Sequence, residues 1–98
     1  MSFVLEFRPD ARIELDDAAD WYEGQRTGLR SDFVLAVDND RIKRSPQSFP
    51  VVEGTFIRKA IVNRFPYSVF FSFSDEVVLV YAVFHHSRNP MIWRGRID

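Results

Sequence analysis

Three apolar runs in the second half of the chain restrict what it can fold into. They span residues 56–62, 67–73 and 77–84, and each has the length and the β-branched and aromatic content of a strand. A Phe-Pro pair at 65–66 and the polar residues 74–76 separate them with tight connections. The second half is therefore predicted to form an antiparallel meander of three strands.

The first half carries one strand pattern and two helical patterns. Pro9 suits a first helical turn, and the helix that it opens should run to about Glu23. Gly24 and Gly28 bracket a short turn, after which a second helix should end before Pro46. The apolar positions behind these predictions are Phe3, Leu5 and Phe7 for the strand and Ala11, Leu15, Ala18, Tyr22, Leu29, Phe33, Ala36 and Val37 for the helices. Helices joined by so short a turn form an antiparallel hairpin.

The predicted order is β-α-α-β-β-β in an α+β fold. A helical hairpin should pack on one face of a small, mainly antiparallel, four-stranded sheet. No linker divides the 98 residues, so residues 1–98 are predicted to form one domain. The runs at 69–71 and 77–84 are apolar on both faces. Because only residues 91–98 remain to cover the second face, we expect an exposed apolar face there that binds a partner.

Composition narrows the functional classes. The chain has no cysteine, which excludes disulfides and thiolate chemistry. It shows no basic leader and no apolar run of about 18 residues, so we expect a cytoplasmic protein that does not bind membranes. Residues 1–40 carry ten acidic and four basic side chains, whereas residues 41–98 carry four and nine. This asymmetry indicates either one negative and one positive face or ordinary solvated surface.

A cluster of polar and aromatic side chains follows the last predicted strand, and phosphate, an acidic peptide or nucleic acid would use it. His85 and His86 are neighbours on a strand, so they point to opposite faces and only one can serve a given site. Trp93 either stacks on a base or closes the core. Too few ligands converge to predict a metal site. The cluster consists of His85, His86, Arg88, Trp93, Arg94 and Arg96.

Other charged residues flank the predicted sheet. On the second strand, Arg58 and Arg64 should share one side and Lys59 should take the other. Arg88 binds either phosphate, an acidic partner residue or the acids of the first helix. Three acids, Glu6, Glu14 and Asp17, are expected to be solvated surface.

Several short motifs follow one another along the chain. They are Ala11-x-x-Glu14-Leu15-x-x-Ala18 with Trp21-Tyr22, Gly28-Leu29, Pro46, Arg58-Lys59, Arg64-Phe65-Pro66-Tyr67 and His86-x-Arg88-x-Pro90-x-x-Trp93-x-x-Arg96. Together they resemble the RelE/ParE superfamily of bacterial toxins from type II toxin–antitoxin modules. The resemblance implies a small toxin that a cognate antitoxin holds inactive with a flexible segment wrapped around it. It implies DNA binding only through the antitoxin and no cofactor.

The superfamily divides by target. RelE-like members cut mRNA on the ribosome, and by resemblance Lys59 and Arg88 match basic positions of their site. Ile61 falls where a second lysine is expected, Ser68 where an arginine would bind phosphate, and Trp93 or Arg94 where a tyrosine would lie. ParE-like members poison DNA gyrase without a nuclease site.

Three functional hypotheses follow. The favoured one is a non-enzymatic toxin that binds a topoisomerase such as DNA gyrase; its target-binding residues would be Arg58, Lys59, Arg64, Arg88, Trp93, Arg94 and Arg96. The second is a ribosome-dependent mRNA endoribonuclease that would use Lys59, His85 or His86, and Arg88. The third is a non-toxic binding protein of the same fold.

Overall fold

The computed structural model describes residues 2–97. Its strands are β1 (Val4–Phe7), β2 (Arg58–Ile61), β3 (Tyr67–Ser74) and β4 (Val77–His85). They form one sheet in the order β1-β4-β3-β2, in which β1 runs parallel to β4 and the other neighbours are antiparallel. The helices are α1 (Pro9–Gln25), α2 (Leu29–Val37), α3 (Asp40–Arg44) and α4 (Met91–Arg94), with 3₁₀ turns at Pro46–Ser48 and Gly95–Ile97. The predicted α+β fold and element order are confirmed.

Helices α1 and α2 form the predicted hairpin on one face of the sheet. The core between them contains small and branched residues of α1 together with Phe33 and Val37 of α2. The second helix ends before Pro46 as predicted, but it already ends at Val37, because the chain leaves the helix at Asp38 and Asn39. The Asn39 side chain accepts a hydrogen bond from the Arg41 amide at 2.7 Å and thereby starts α3.

A β-bulge in β4 changes which of its residues face the helices. The register against β3 skips Tyr81, which is the extra residue. Val80 before the bulge and Val83 after it both pack toward the helices, three residues apart instead of two. Ala82 and Phe84 therefore face the opposite side, called here the open face, where they join a second core.

The tail after β4 covers part of the open face. Trp93 of α4 is 1% exposed, and its ring stacks on Phe70 at a centroid distance of 4.5 Å. Ile57 and Phe84 complete the buried cluster around it. The expectation that this face is left for a partner is therefore only partly correct. The tail covers the part of the open face around Ile57 and Phe70, and a cavity remains beside it. In the part of the chain that the structure describes, no helix is both long and apolar enough to cross a bilayer.

The turn between α1 and α2 depends on a glycine, which gives a prediction of sign. Gly28 has φ +96°, a conformation that disfavours side chains, whereas Gly24 lies within α1, and a Cβ on either would meet open space. Gly28→Ala should lower the free energy of unfolding by about 1 kcal/mol, whereas Gly24→Ala should raise it by about 0.5–1 kcal/mol. Urea denaturation of the two variants checks this, and shifts of the same sign would contradict it.

Candidate functional site

A cavity of about 300 Å³ opens on the open face above the tail. Strands β2, β3 and β4 contribute its floor, and the segment after β4 closes one side. Aromatic and aliphatic side chains form its walls, and cationic side chains stand at its rim. The lining residues are Lys59, Ile61, Ser68, Phe70, Phe84, His85, His86, Arg88 and Pro90. The cavity therefore joins an apolar floor to a positively charged rim, which suits an anionic group carried on an apolar stem.

The edge of β4 next to this cavity is closed by side chains. Strand β1 pairs only with residues 77–80 of β4, so the later part of β4 has no neighbour on that side. The Val83 amide donates to Oε1 of Glu14 at 3.1 Å, and the Tyr81 carbonyl accepts from Arg96 at 3.0 Å. Helix α1 and the tail thus satisfy backbone groups that a strand would otherwise bond.

Glu14 is the centre of this arrangement, and its side chain is only 11% exposed. Its Oε1 also accepts a bond from Arg96 at 3.1 Å, and its Oε2 accepts bonds from Arg88 and Arg96 at 2.8 Å each. The prediction that Glu14 is solvated surface is wrong, since it is the shared partner of two arginines and one amide. The hydrogen bond to Glu14, with the charges of Glu14 and Asp10, raises the pKa of Arg96 despite its burial.

Two predicted target-binding residues are turned inward. Trp93 lies in the second core and cannot stack on a target. The side chain of Arg96 is 12% exposed and is paired with Glu14 and with Asp10, where its Nε lies 3.3 Å from Oδ2. For Trp93 the predicted alternative, closure of the core, is the one confirmed, and Arg96 likewise attaches the tail to the rest of the fold. The physical reason is that the tail packs with the loop before β2 over this part of the open face and buries its own large side chains there.

Three more of the predicted residues lie away from the cavity. Arg58 donates to the Phe49 carbonyl at 2.6 Å and holds the loop before β2. Arg64 stands in the β2–β3 turn, with its NH2 3.9 Å from a carboxylate oxygen of Asp32. Arg94 donates to the Glu53 carbonyl at 3.3 Å. The face assignment on β2 is confirmed, because Arg58 and Arg64 lie on the helical side and Lys59 lines the cavity on the open face.

The prediction that only one histidine can serve a given site is not borne out, because His85, the last residue of β4, and His86 both line the cavity on the open face. The His85 ring contacts Tyr67 edge-on at 5.2 Å and accepts a hydrogen bond from the Ser87 amide at 3.0 Å. His86 is exposed and lies at the rim of the cavity, where its amide donates to the Pro66 carbonyl at 2.9 Å. Burial raises the pKa of Tyr67, with the nearby Tyr22 adding to the effect, so this phenol is protonated at neutral pH.

Part of the charge asymmetry along the chain is neutralised by ion pairs across the fold. Arg64, Arg88 and Arg96 from the basic half bond to acids of the helices. The alternative with one negative and one positive face therefore does not hold for these three side chains. Lys59 has no acidic partner within 4.0 Å among residues 2–97, so the cavity rim keeps positive charge.

Sequence comparison and structural comparison give different results. No protein-family model matches the chain, and no curated protein matches it. Among solved structures, 11 chains match. One of them, from a structure described as the chromosomal ParDE TA system from P. aeruginosa, has a TM-score of 0.64 and 16% identity, covering 85% of this chain and 95% of that chain. The fold is thus of the ParE/RelE type, an α-hairpin on a four-stranded mixed sheet.

Sequence reasoning missed two residues of this region. Glu14 was predictable in part, because it lies between Ala11, Leu15 and Ala18 and hence at the border of the buried helical face. Ser68 was named only as a departure from the RelE-like site, yet it is 2% exposed and contributes to the cavity. Side chains alternate between the two faces of β3, and Ser68 lies two residues before Phe70. Alternation alone therefore predicts that Ser68 shares the open face with Phe70.

Proposed function

We propose that this chain is the toxin component of a type II toxin–antitoxin module. It acts in the cytoplasm as a single domain, binds a topoisomerase such as DNA gyrase, and is neutralised by a cognate antitoxin. The observation that carries the proposal is the cavity: an apolar floor with Lys59 and Arg88 at its rim is a protein-binding site. The ParE/RelE-type fold and the ParDE neighbour support the same interpretation.

The antitoxin is proposed to bind along three adjoining cavities. The open-face cavity, a second of about 310 Å³ between α1 and β4, and a third of about 410 Å³ beside the β2–β3 turn all include His85 in their walls. Arg88 is shared by the first two, and Trp21, which is 60% exposed, is shared by the last two. Linked cavities with exposed aromatic surface suit an extended segment that wraps around the end of β4.

A second function has one specific observation in its favour. Lys59, His86 and Arg88 line the same cavity, and an imidazole with two cations is a plausible chemical set for cleaving RNA. Against it, Arg88 is hydrogen bonded to Glu14, and Ser68 stands where the resemblance implies a phosphate-binding arginine. A ribosome-dependent endoribonuclease is therefore the alternative that the experiment must separate.

The first functional prediction concerns Arg88. The guanidinium is 41% exposed and lies over the Phe84 ring at 4.1 Å, so it is positioned yet reachable. Arg88→Ala should weaken target binding about tenfold or more, since a charged hydrogen bond contributes about 1.5–3 kcal/mol. The ion pair between Arg88 and Glu14 is partly exposed to solvent. Arg88→Ala should therefore lower the melting temperature by less than the loss of a buried ion pair would. Growth arrest after expression, measured with the melting temperature, checks both statements.

The matched control is Arg64→Ala, an exposed arginine that pairs with Asp32 at 3.9 Å on the helical side. It should keep full growth arrest. Plasmid supercoiling and mRNA integrity are followed in the same cultures. Altered supercoiling with intact mRNA supports the topoisomerase target, whereas codon-linked mRNA cleavage that is lost in His86→Ala would establish the ribonuclease. Full growth arrest by folded Arg88→Ala would exclude this site.

A further inference from the structure

The open-face cavity has a chemical polarity that identifies its occupant. Its floor and walls include the apolar side chains Ile61, Phe70, Phe84 and Pro90, and its charged lining is cationic. No carboxylate of residues 2–97 lines it. Glu14 pairs with Arg88 from outside the cavity lining, whereas Lys59 has no acidic partner among the described residues, so the cavity combines an apolar surface with positive charge.

The floor of the cavity contains a hydroxyl without a partner. Ser68 is 2% exposed, and its Oγ has no hydrogen-bond partner among the described residues. Leaving a buried hydroxyl without a hydrogen bond is unfavourable. Alanine at this position would avoid that cost, because Ser68 lies opposite Phe84 in the β3–β4 register and is surrounded by apolar side chains. An unpartnered buried hydroxyl is a group that a ligand can satisfy.

The two principal cations at the rim lie against aromatic rings of the floor. The Lys59 ammonium is 6.0 Å from the Phe70 ring centroid, and the Arg88 guanidinium carbon is 4.1 Å from that of Phe84. The two ring centroids are 6.2 Å apart. Arg88 uses NH1 to bond Glu14, which leaves other donors of its guanidinium for a ligand. Both charges are thus held over one floor, on either side of an adjacent pair of rings.

We propose that this cavity receives an acidic side chain, Asp or Glu, of the protein partner, and that Ser68 is the residue that selects it. The aliphatic stem would lie against Phe70 and Phe84. The carboxylate would bond Lys59 and Arg88 at the rim and the Ser68 hydroxyl at the floor. A carboxylate on a short apolar stem fits apolar walls better than a phosphodiester, whose neighbouring sugars are polar. This inference rests on the proposed function only in taking the partner to be a protein.

The test uses small probes on the intact, uniformly ¹⁵N-labelled chain. Butyrate reproduces a glutamate side chain, butyramide removes the charge, and dimethyl phosphate carries one negative charge in the form of a nucleic-acid backbone. Butyrate should give saturable amide shifts at Lys59, Ser68 and residues 84–88, and butyramide should not. Ser68→Ala should weaken butyrate binding about fivefold, as expected for one lost hydrogen bond.

A matched variant and a stability measurement separate a ligand role from a structural one. Ser72→Ala lies four residues along the same strand and on the same face, outside the cavity lining, and should leave butyrate affinity unchanged. In the free protein, Ser68→Ala should keep or raise the melting temperature, because the hydroxyl has no partner to lose. A lower melting temperature would mean that the hydroxyl has a structural bond, which would overturn the selective role.

Two further outcomes overturn the proposal. Equal butyrate affinity in wild type and Ser68→Ala would remove Ser68 from the site. Dimethyl phosphate binding at the same residues more tightly than butyrate would assign the cavity to a nucleic-acid backbone. These titrations measure ligand binding in the cavity and do not depend on toxicity. They can therefore fail while growth arrest persists, and they can succeed when growth arrest is absent.

Discussion

Replacing Glu14 with alanine is expected to lower the free energy of unfolding by about 3 kcal/mol, in the range measured when one partner of a buried ion pair is removed. The substitution leaves the largely buried Arg96 guanidinium without its bidentate partner and the Val83 amide without an acceptor. For a domain of this size, such a loss should lower the melting temperature by more than about 10 °C. Thermal unfolding followed by circular dichroism measures the effect.

Two comparison variants give this prediction its specificity. Asp17→Ala removes an exposed carboxylate from the same helix, and its effect should stay within about 0.5 kcal/mol. Glu14→Gln keeps an oxygen that can accept from Val83 but removes the charge, so its loss should fall between the other two. Equal melting temperatures for Glu14→Ala and Asp17→Ala would show that the network around Arg96 contributes little to stability.

Much of the fold followed from local patterns, and its departures have local causes. The period of the apolar residues placed the helical hairpin and all four strands, because each element packs an apolar face toward a core. The break at Asp38 and Asn39 escaped prediction because the apolar period continues to Val37, while the capping tendency of Asn39 acts only locally. The bulge at Tyr81 was equally hidden, since a strand that is apolar on both faces gives no phase to read.

The site was less predictable because long-range pairing determines which charges remain free. Arg96 and Arg88 read alike in the sequence, yet Arg96 bonds bidentately to Glu14 and is buried, whereas Arg88 gives one bond and stays partly exposed. That difference depends on where the tail folds back over β4, which is a contact between residues more than eighty positions apart. The resemblance marked Ser68 only as a departure from the RelE-like site. Its burial beside Phe70 follows from the alternation of side chains along β3.

Trp93→Ala should be the most destabilising single substitution in the tail, with a loss of about 3–5 kcal/mol for a buried large aromatic truncated to alanine. The indole is enclosed by Phe70, Phe84 and Ile57, so its removal leaves a cavity and frees the tail from the open face. The expected result is a large fall in melting temperature and the loss of every activity of the chain together.

The second tryptophan is the matched control. Trp21 is 60% exposed on α1, so Trp21→Ala should change stability by less than about 1 kcal/mol while weakening a partner that fills the cavities it lines. With Trp21 removed, the remaining tryptophan fluorescence comes from Trp93, and it should resist quenching by iodide until the chain unfolds. Rapid quenching in the folded protein, or a stable Trp93→Ala that loses only partner binding, would return Trp93 to the role of a target contact and leave the open face uncovered.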